Sequence, residues 1–154
     1  MTVALPRDPW STKIFVDSTK VFVFDASVPA ADLPRPTDSE LSILRVLWAR
    51  GPSTVRRVVE ELGPDTGYTT ALKLLQIMTD KGLVTRDDAE RTHVFAPALP
   101  AEATRRQLVD DLLERAFDGS AELLVQQALA GRRPSRGEIA ALRRLLDSLE
   151  RKKP

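Results

Sequence analysis

From Arg35 onward the apolar residues recur first at helical spacing and then, briefly, at strand spacing. Leu41, Leu44, Leu47 and Trp48 follow i, i+3, i+4 steps, the period of one helix face. They come after Thr37-Asp38-Ser39-Glu40, which has the Ser/Thr-x-x-Glu form of a capping box, and they stop at Gly51-Pro52. Ser53 is placed to cap a second, short helix with Val55, Val58, Val59 and Leu62 on one side and Arg56, Arg57, Glu60 and Glu61 left to solvent. Gly63-Pro64-Asp65 ends it. A third helix is predicted from Tyr68 to Lys81, with Ala71, Leu74, Leu75 and Met78 as its core stripe and Gly82 as the glycine after its C-cap. The pattern then changes. Leu83-Val84-Thr85-Arg86 and Thr92-His93-Val94-Phe95 are β-prone runs on either side of the polar Asp87 to Arg91, which predicts a hairpin with a charged tip. Three helices followed by a hairpin is the order of a winged helix-turn-helix domain.

The flanks differ from this segment. In residues 1–34, Pro6, Pro9, Pro29 and Pro34 frame two β-type runs, Ile14-Phe15-Val16 and Val21-Phe22-Val23-Phe24, around Asp17-Ser18-Thr19-Lys20. A lone hairpin or a partly disordered extension is expected, because two strands are marginal in water. Beyond Pro97 and Pro100 the pattern predicts helices over Ala101 to Phe117, Ser120 to Ala130 and Ser135 to Lys152. Their apolar stripes include Leu108, Leu112 and Phe117, then Leu124 and Leu129, then Ile139, Leu142, Leu145, Leu146 and Leu149. Three short helices make a thin core alone, so these residues are expected to form the interface of a homodimer. The two prolines favour separation of this arm over its folding back on the winged domain. The expected class is mainly α, an α+β winged helix-turn-helix over 35–100 with an all-helical dimerisation arm over 101–154.

Composition narrows the chemistry. At 154 residues the chain has the size of one domain or two small modules, at about 100–200 residues per domain. With no cysteine and a single histidine, His93, thiolate metal sites, cysteine nucleophiles and a histidine-rich metal cluster are excluded. Neither metal nor cofactor is expected. The acidic pairs Glu60-Glu61, Asp87-Asp88 and Asp110-Asp111 are adjacent in sequence, so their side chains splay apart, and each falls on an expected solvated face or turn. Glycine-rich phosphate loops are lacking. No catalytic residue is expected, and the chain is read as a non-enzyme. It has neither an apolar run of about 18 residues nor a signal-peptide core, so a cytoplasmic protein without membrane insertion is expected.

What remains is recognition of double-stranded DNA. The side of the third helix opposite its core stripe presents Tyr68, Thr69, Thr70, Lys73 and Gln76, a set that suits base edges and phosphates in a major groove. Arg91 at the hairpin tip and Arg86 at its base can grip backbone. Ser53 and Thr54, at the start of the second helix, place backbone amides where a phosphate can sit. The net charge is only +1, and residues 35–100 hold as many acidic as basic side chains, so affinity should be modest and salt-sensitive. That neutrality also suits a rival, a winged-helix protein-interaction module without sequence-specific DNA binding. Salt-dependent DNA binding separates the two.

The runs Leu41 to Trp48, Gly51-Pro52-Ser53-Thr54-Val55-Arg56, Gly67 to Met78 and Lys81-Gly82-Leu83-Val84 resemble the penicillinase repressor family, the BlaI/MecI/CopY group. In the arm, Gln107 to Leu113 followed by Ala116-Phe117-Asp118-Gly119-Ser120 resembles that group's dimerisation arm, with its Phe/Tyr-x-Gly-Ser/Gly turn. The likeness spans Thr37 to Lys153. It implies a homodimeric repressor on a palindromic operator, released in the antibiotic-resistance members when a membrane-bound sensor metalloprotease cuts the first arm helix. Asp111-Leu112 stands where those members have an Asn-Phe bond, and Ile77 stands where they usually carry an arginine. The absence of cysteine removes the copper-sensing motif of one branch. Residues 1–34 have no counterpart in the family pattern.

Overall fold

A computed structural model describes residues 33–89 and 91–152, and the backbone alone of 14–17 and 20–23. It divides into two units, Met1–Val109 and Asp110–Pro154. In the first, β1 (Ile14–Asp17) and β2 (Lys20–Val23) pair antiparallel with Ile14 opposite Val23. This is the expected hairpin; its side chains, and residues 1–13, 18, 19 and 24–32, lie outside the described residues.

Helix α1 (Asp38–Arg50) begins with the capping box read from the sequence. The Glu40 amide donates to Thr37 Oγ1 at 3.4 Å, and the Thr37 amide donates to Glu40 Oε2 at 2.8 Å. Glu40 is buried, which the sequence did not announce. Lys81, just past the end of α3, donates from Nζ to the same Oε2 at 2.7 Å and to the Arg35 carbonyl at 3.1 Å. Burial pushes the Glu40 carboxyl up, but the bonds from Lys81 and Thr37 together outweigh it and hold its pKa below the ordinary value. One carboxylate thus closes the cap of α1 and ties it to α3.

Gly51, at φ +80°, ends α1 by donating to the Leu47 carbonyl. The next residues differ from expectation. Ser53 and Thr54 form a two-residue strand, β3, paired with β5 through Ser53 opposite Phe95 and Thr54 opposite Val94. Ser53 is therefore not the cap of the second helix: its side chain is buried and its hydroxyl donates to the Gly51 carbonyl at 2.9 Å. Thr54 caps α2 (Val55–Leu62), accepting from the Arg57 amide at 3.3 Å. Helix α3 (Tyr68–Asp80) ends as predicted: Gly82, at φ +79°, donates to Thr79, and Leu83 donates back to Met78. Strands β4 (Val84–Asp87) and β5 (Val94–Pro97) complete a sheet of order β3-β5-β4, with Val84 opposite Pro97. The second hairpin strand thus starts later than its sequence pattern suggested, and His93 lies just before it. β5 is central, and burying Phe95 and Ala96 fixes its register.

The core joins Ile43, Leu44 and Leu47 of α1, Val55 and Val58 of α2, and Ala71, Leu75 and Met78 of α3 to Leu83, Val84 and Phe95. Trp48 and Leu74, expected in the stripes, pack only partly buried at its margin. Helix α4 (Ala101–Ala116) enters from Pro100. The Trp48 indole donates to the Leu99 carbonyl at 2.9 Å. Thr104 and Gln107 are buried, and Gln107 Nε2 donates to the Leu33 carbonyl at 2.5 Å. The first turns of α4 therefore belong with the first unit, which runs to Val109.

In the second unit α4 stops at Asp118 and Gly119, at φ +48° and +76°, with the Gly119 amide returning to the Leu113 carbonyl. Ser120 caps α5 (Ala121–Ala130) and Ser135 caps α6 (Arg136–Arg151), so all three arm helices match the sequence pattern to within a residue or two.

Candidate nucleic-acid interface

Helix α3 is seated by one face and free on the other. Ala71, Leu75 and Met78 have no exposed surface, whereas Tyr68, Thr69, Thr70, Lys73, Gln76 and Ile77 are exposed. Thr69 and Lys73 are one turn apart and Lys73 and Gln76 three residues apart, so they share a side of the helix. Gly67 caps α3 with backbone alone, leaving the orphan amides of the first turn beside Tyr68, Thr69 and Thr70. Lys73 is the only charged residue of α3 before Asp80. Such a face combines a helix N-terminus, three hydroxyls, a cation and an amide, the chemistry that reads base edges and phosphates.

The neighbouring elements bring fewer free groups than the sequence suggested. Ser53 faces the interior and its hydroxyl is committed. Thr54 is half-buried with its Oγ1 engaged in the cap, so their contribution is restricted to the amides of the first α2 turn. Arg56, in that turn, is exposed; sequence reasoning left it as a solvating residue, and only its place next to Thr54 marks it. In the wing, Arg86 forks onto Asp88, Nε to Oδ1 at 2.8 Å and Nη2 to Oδ2 at 2.9 Å, and His93 Nδ1 meets the same Oδ1 at 2.7 Å. The bond from Arg86 is the main reason the Asp88 carboxyl is held below the usual carboxylate range. Arg86 is thus already neutralised, whereas Arg91 is exposed.

The arm residues are distributed unevenly. Leu108, Phe117, Leu124, Leu129 and Leu142 are half-buried within the chain, while Leu112, Ile139, Leu145, Leu146 and Leu149 stand exposed, Leu146 by 60%. Asp111 is half-buried and accepts from Arg115 at 3.1 Å. Among the described residues there is no group of acidic or histidine side chains fit to hold a metal, and no helix is long and apolar enough to cross a membrane.

A three-helix core with a three-stranded sheet and an exposed third helix defines a winged helix-turn-helix protein, an architecture that many DNA-binding proteins use. Comparison narrows the class. The penicillinase repressor family model matches residues 36–148, and the chain belongs to that family. It is 36% identical over 125 residues to the transcriptional regulator BlaI of Mycobacterium tuberculosis, in strains H37Rv and CDC 1551, covering 78% of this chain and 88% of the relative. Among solved structures, the monomeric form of Bacillus licheniformis BlaI in complex with the blaP half-operator aligns with 47% of this chain and 90% of its own, at 22% identity and a TM-score of 0.41. Lactococcus lactis ZitR aligns with 76% of this chain and 83% of its own, at 19% identity and a TM-score of 0.36.

Proposed function

We propose that the protein is a homodimeric transcriptional repressor that reads a palindromic operator with α3 and the wing. The observation that carries this reading is the two-sidedness of α3: a fully buried seat and an exposed face of Thr69, Thr70, Lys73 and Gln76. Dimerisation through the arm is supported by Leu112, Ile139, Leu145, Leu146 and Leu149, large apolar side chains that a second copy would take out of water. Two linked reading heads convert weak half-site contacts into usable affinity, which suits a chain with net charge of only +1. The reading extends to release by a membrane-bound sensor metalloprotease acting at Asp111-Leu112. Leu112 is exposed, but the bond lies inside α4, so the helix must open locally before a protease can take it as an extended strand.

The test is anisotropy of a fluorescent duplex carrying the protein's own upstream intergenic region against a scrambled duplex, at two salt concentrations. Selective binding of two protomers that weakens with salt is expected. Equal, weak binding to both duplexes overturns the reading and favours the protein-interaction module, for which the neutralised Arg86 speaks.

A further inference from the structure

Within the first unit, on a side formed by α1, the end of α2 and the start of α4, an open groove of about 760 Å³ is walled by residues that α3 and the wing do not use. Part of its lining is apolar: Val46, Ala49 and Leu62, with Trp48, whose indole nitrogen donates to the Leu99 carbonyl. The lining also includes three arginines, Arg45, Arg50 and Arg105, against a single carboxylate, Glu61. That carboxylate is already taken, by Arg50 at 3.0 Å and by Arg57 at 3.7 Å. Arg45 on α1 and Arg105 on α4 are exposed, and neither makes an ion pair among the described residues.

We infer that this groove is a binding site for a small aromatic carboxylate. The argument is one of complementarity. A volume of this size falls in the range of small-molecule sites, about 300–1,000 Å³, which combine an apolar lining with a few placed polar groups. Arg45 and Arg105, which make no ion pair among the described residues, match a carboxylate, which arginine holds through paired N–H donors. The apolar part of the lining, with the Trp48 indole, matches a flat ring. Inorganic phosphate offers the charge without the ring and an uncharged amide the ring without the charge, so neither satisfies both parts of the lining. The groove is open, so part of the ligand stays in water and the dissociation constant belongs in the micromolar to millimolar range.

The experiment uses the full chain carrying W10F, which leaves Trp48 as the only tryptophan, and reads its emission during titration with benzoate, phenylacetate, benzamide and phosphate at constant ionic strength. Saturable change with the two carboxylates, and none with benzamide or phosphate, is expected. The double variant R45A/R105A should weaken that binding at least tenfold while its circular dichroism stays that of the parent. A49F, which fills the groove without touching its charge and adds no second tryptophan, should abolish it. Absence of saturation up to the solubility of the carboxylates overturns the inference, as does an unchanged response in both variants. A response to phosphate equal to that of benzoate reduces the site to a non-specific anion patch and equally refutes it. Because the readout contains no DNA, its failure is distinct from failure of the repressor reading.

Discussion

Removing the Glu40 carboxylate should destabilise the winged unit by an amount that the geometry sets. Glu40→Ala deletes a charge-assisted bond from Lys81 at 2.7 Å, which contributes about 1.5–3 kcal/mol. It also deletes the return bond to the Thr37 amide, about 0.5–1 kcal/mol. The stranded Lys81 ammonium lowers the total, because its side chain is 34% exposed and water can solvate it once the partner has gone. About 1.5–3 kcal/mol is therefore expected, less than the loss of a partner from a fully buried pair. Glu40→Gln keeps an acceptor for the Thr37 amide and should cost only about 1–2 kcal/mol. Urea denaturation followed by circular dichroism measures both, and a cycle with Lys81→Met should return a coupling of about 1–2 kcal/mol. The pH dependence supplies an independent check. The folded-state pKa of Glu40 is lowered, so its contribution is fully present above the ordinary value of 4.5 and is lost as pH falls through the folded value. The gap between the parent chain and Glu40→Gln should be widest near neutrality and close in acid below 4.5. A Gln variant as stable as the parent at pH 7, or a coupling below about 0.3 kcal/mol, would refute the view that one carboxylate ties α1 to α3.

Further outcomes follow from the other features. Lys73→Ala and Arg91→Ala should each weaken operator binding, by about 1–3 kcal/mol where a base edge is lost and with a shallower salt slope where only a phosphate is, leaving the oligomeric state unchanged; anisotropy and sedimentation check this. Asp88→Asn should free Arg86 and tighten DNA binding roughly two- to fivefold, the worth of one exposed charge contact, and unchanged binding would remove Arg86 from the interface. Leu142→Asp with Leu145→Asp should give monomers by sedimentation; a persistent dimer would place the interface elsewhere. Gly82→Ala meets no atom within 4 Å but must sit at φ +79°, so it should cost about 1–2 kcal/mol through backbone strain alone.

Local signals account for most of what the sequence made legible. The Thr37 to Glu40 box and the Gly51, Gly63 and Gly82 stops are contacts within a few residues, and each helix lies close to where the pattern puts it. What escaped depends on distant partners. β3 exists because Ser53 and Thr54 pair with residues some forty positions later, and that pairing turned Ser53 inward and passed the cap to Thr54. Ile43 is fully buried although it lies outside the stripe of Leu41, Leu44, Leu47 and Trp48, because α2, α3 and β5 all pack on α1. In the candidate interface the exposure of Thr69, Thr70, Lys73 and Gln76 followed from the helical period. The pairing of Arg86 with Asp88 was not legible, since it depends on how the wing tip turns.

The burial of Thr104 and Gln107 bears on how this chain can be taken apart and recombined. Pro97 and Pro100 look like the natural seam between reading head and arm, yet a cut there strips the winged unit of the helical stub that buries Thr104 and whose Gln107 donates to the Leu33 carbonyl. A hybrid repressor that exchanges heads with a relative should instead be joined at Val109, so that two turns of the donor's own helix travel with the donor's head. Joined at residue 100, the same hybrid would press a foreign helix against Trp48 and lose solubility before DNA binding could be assayed.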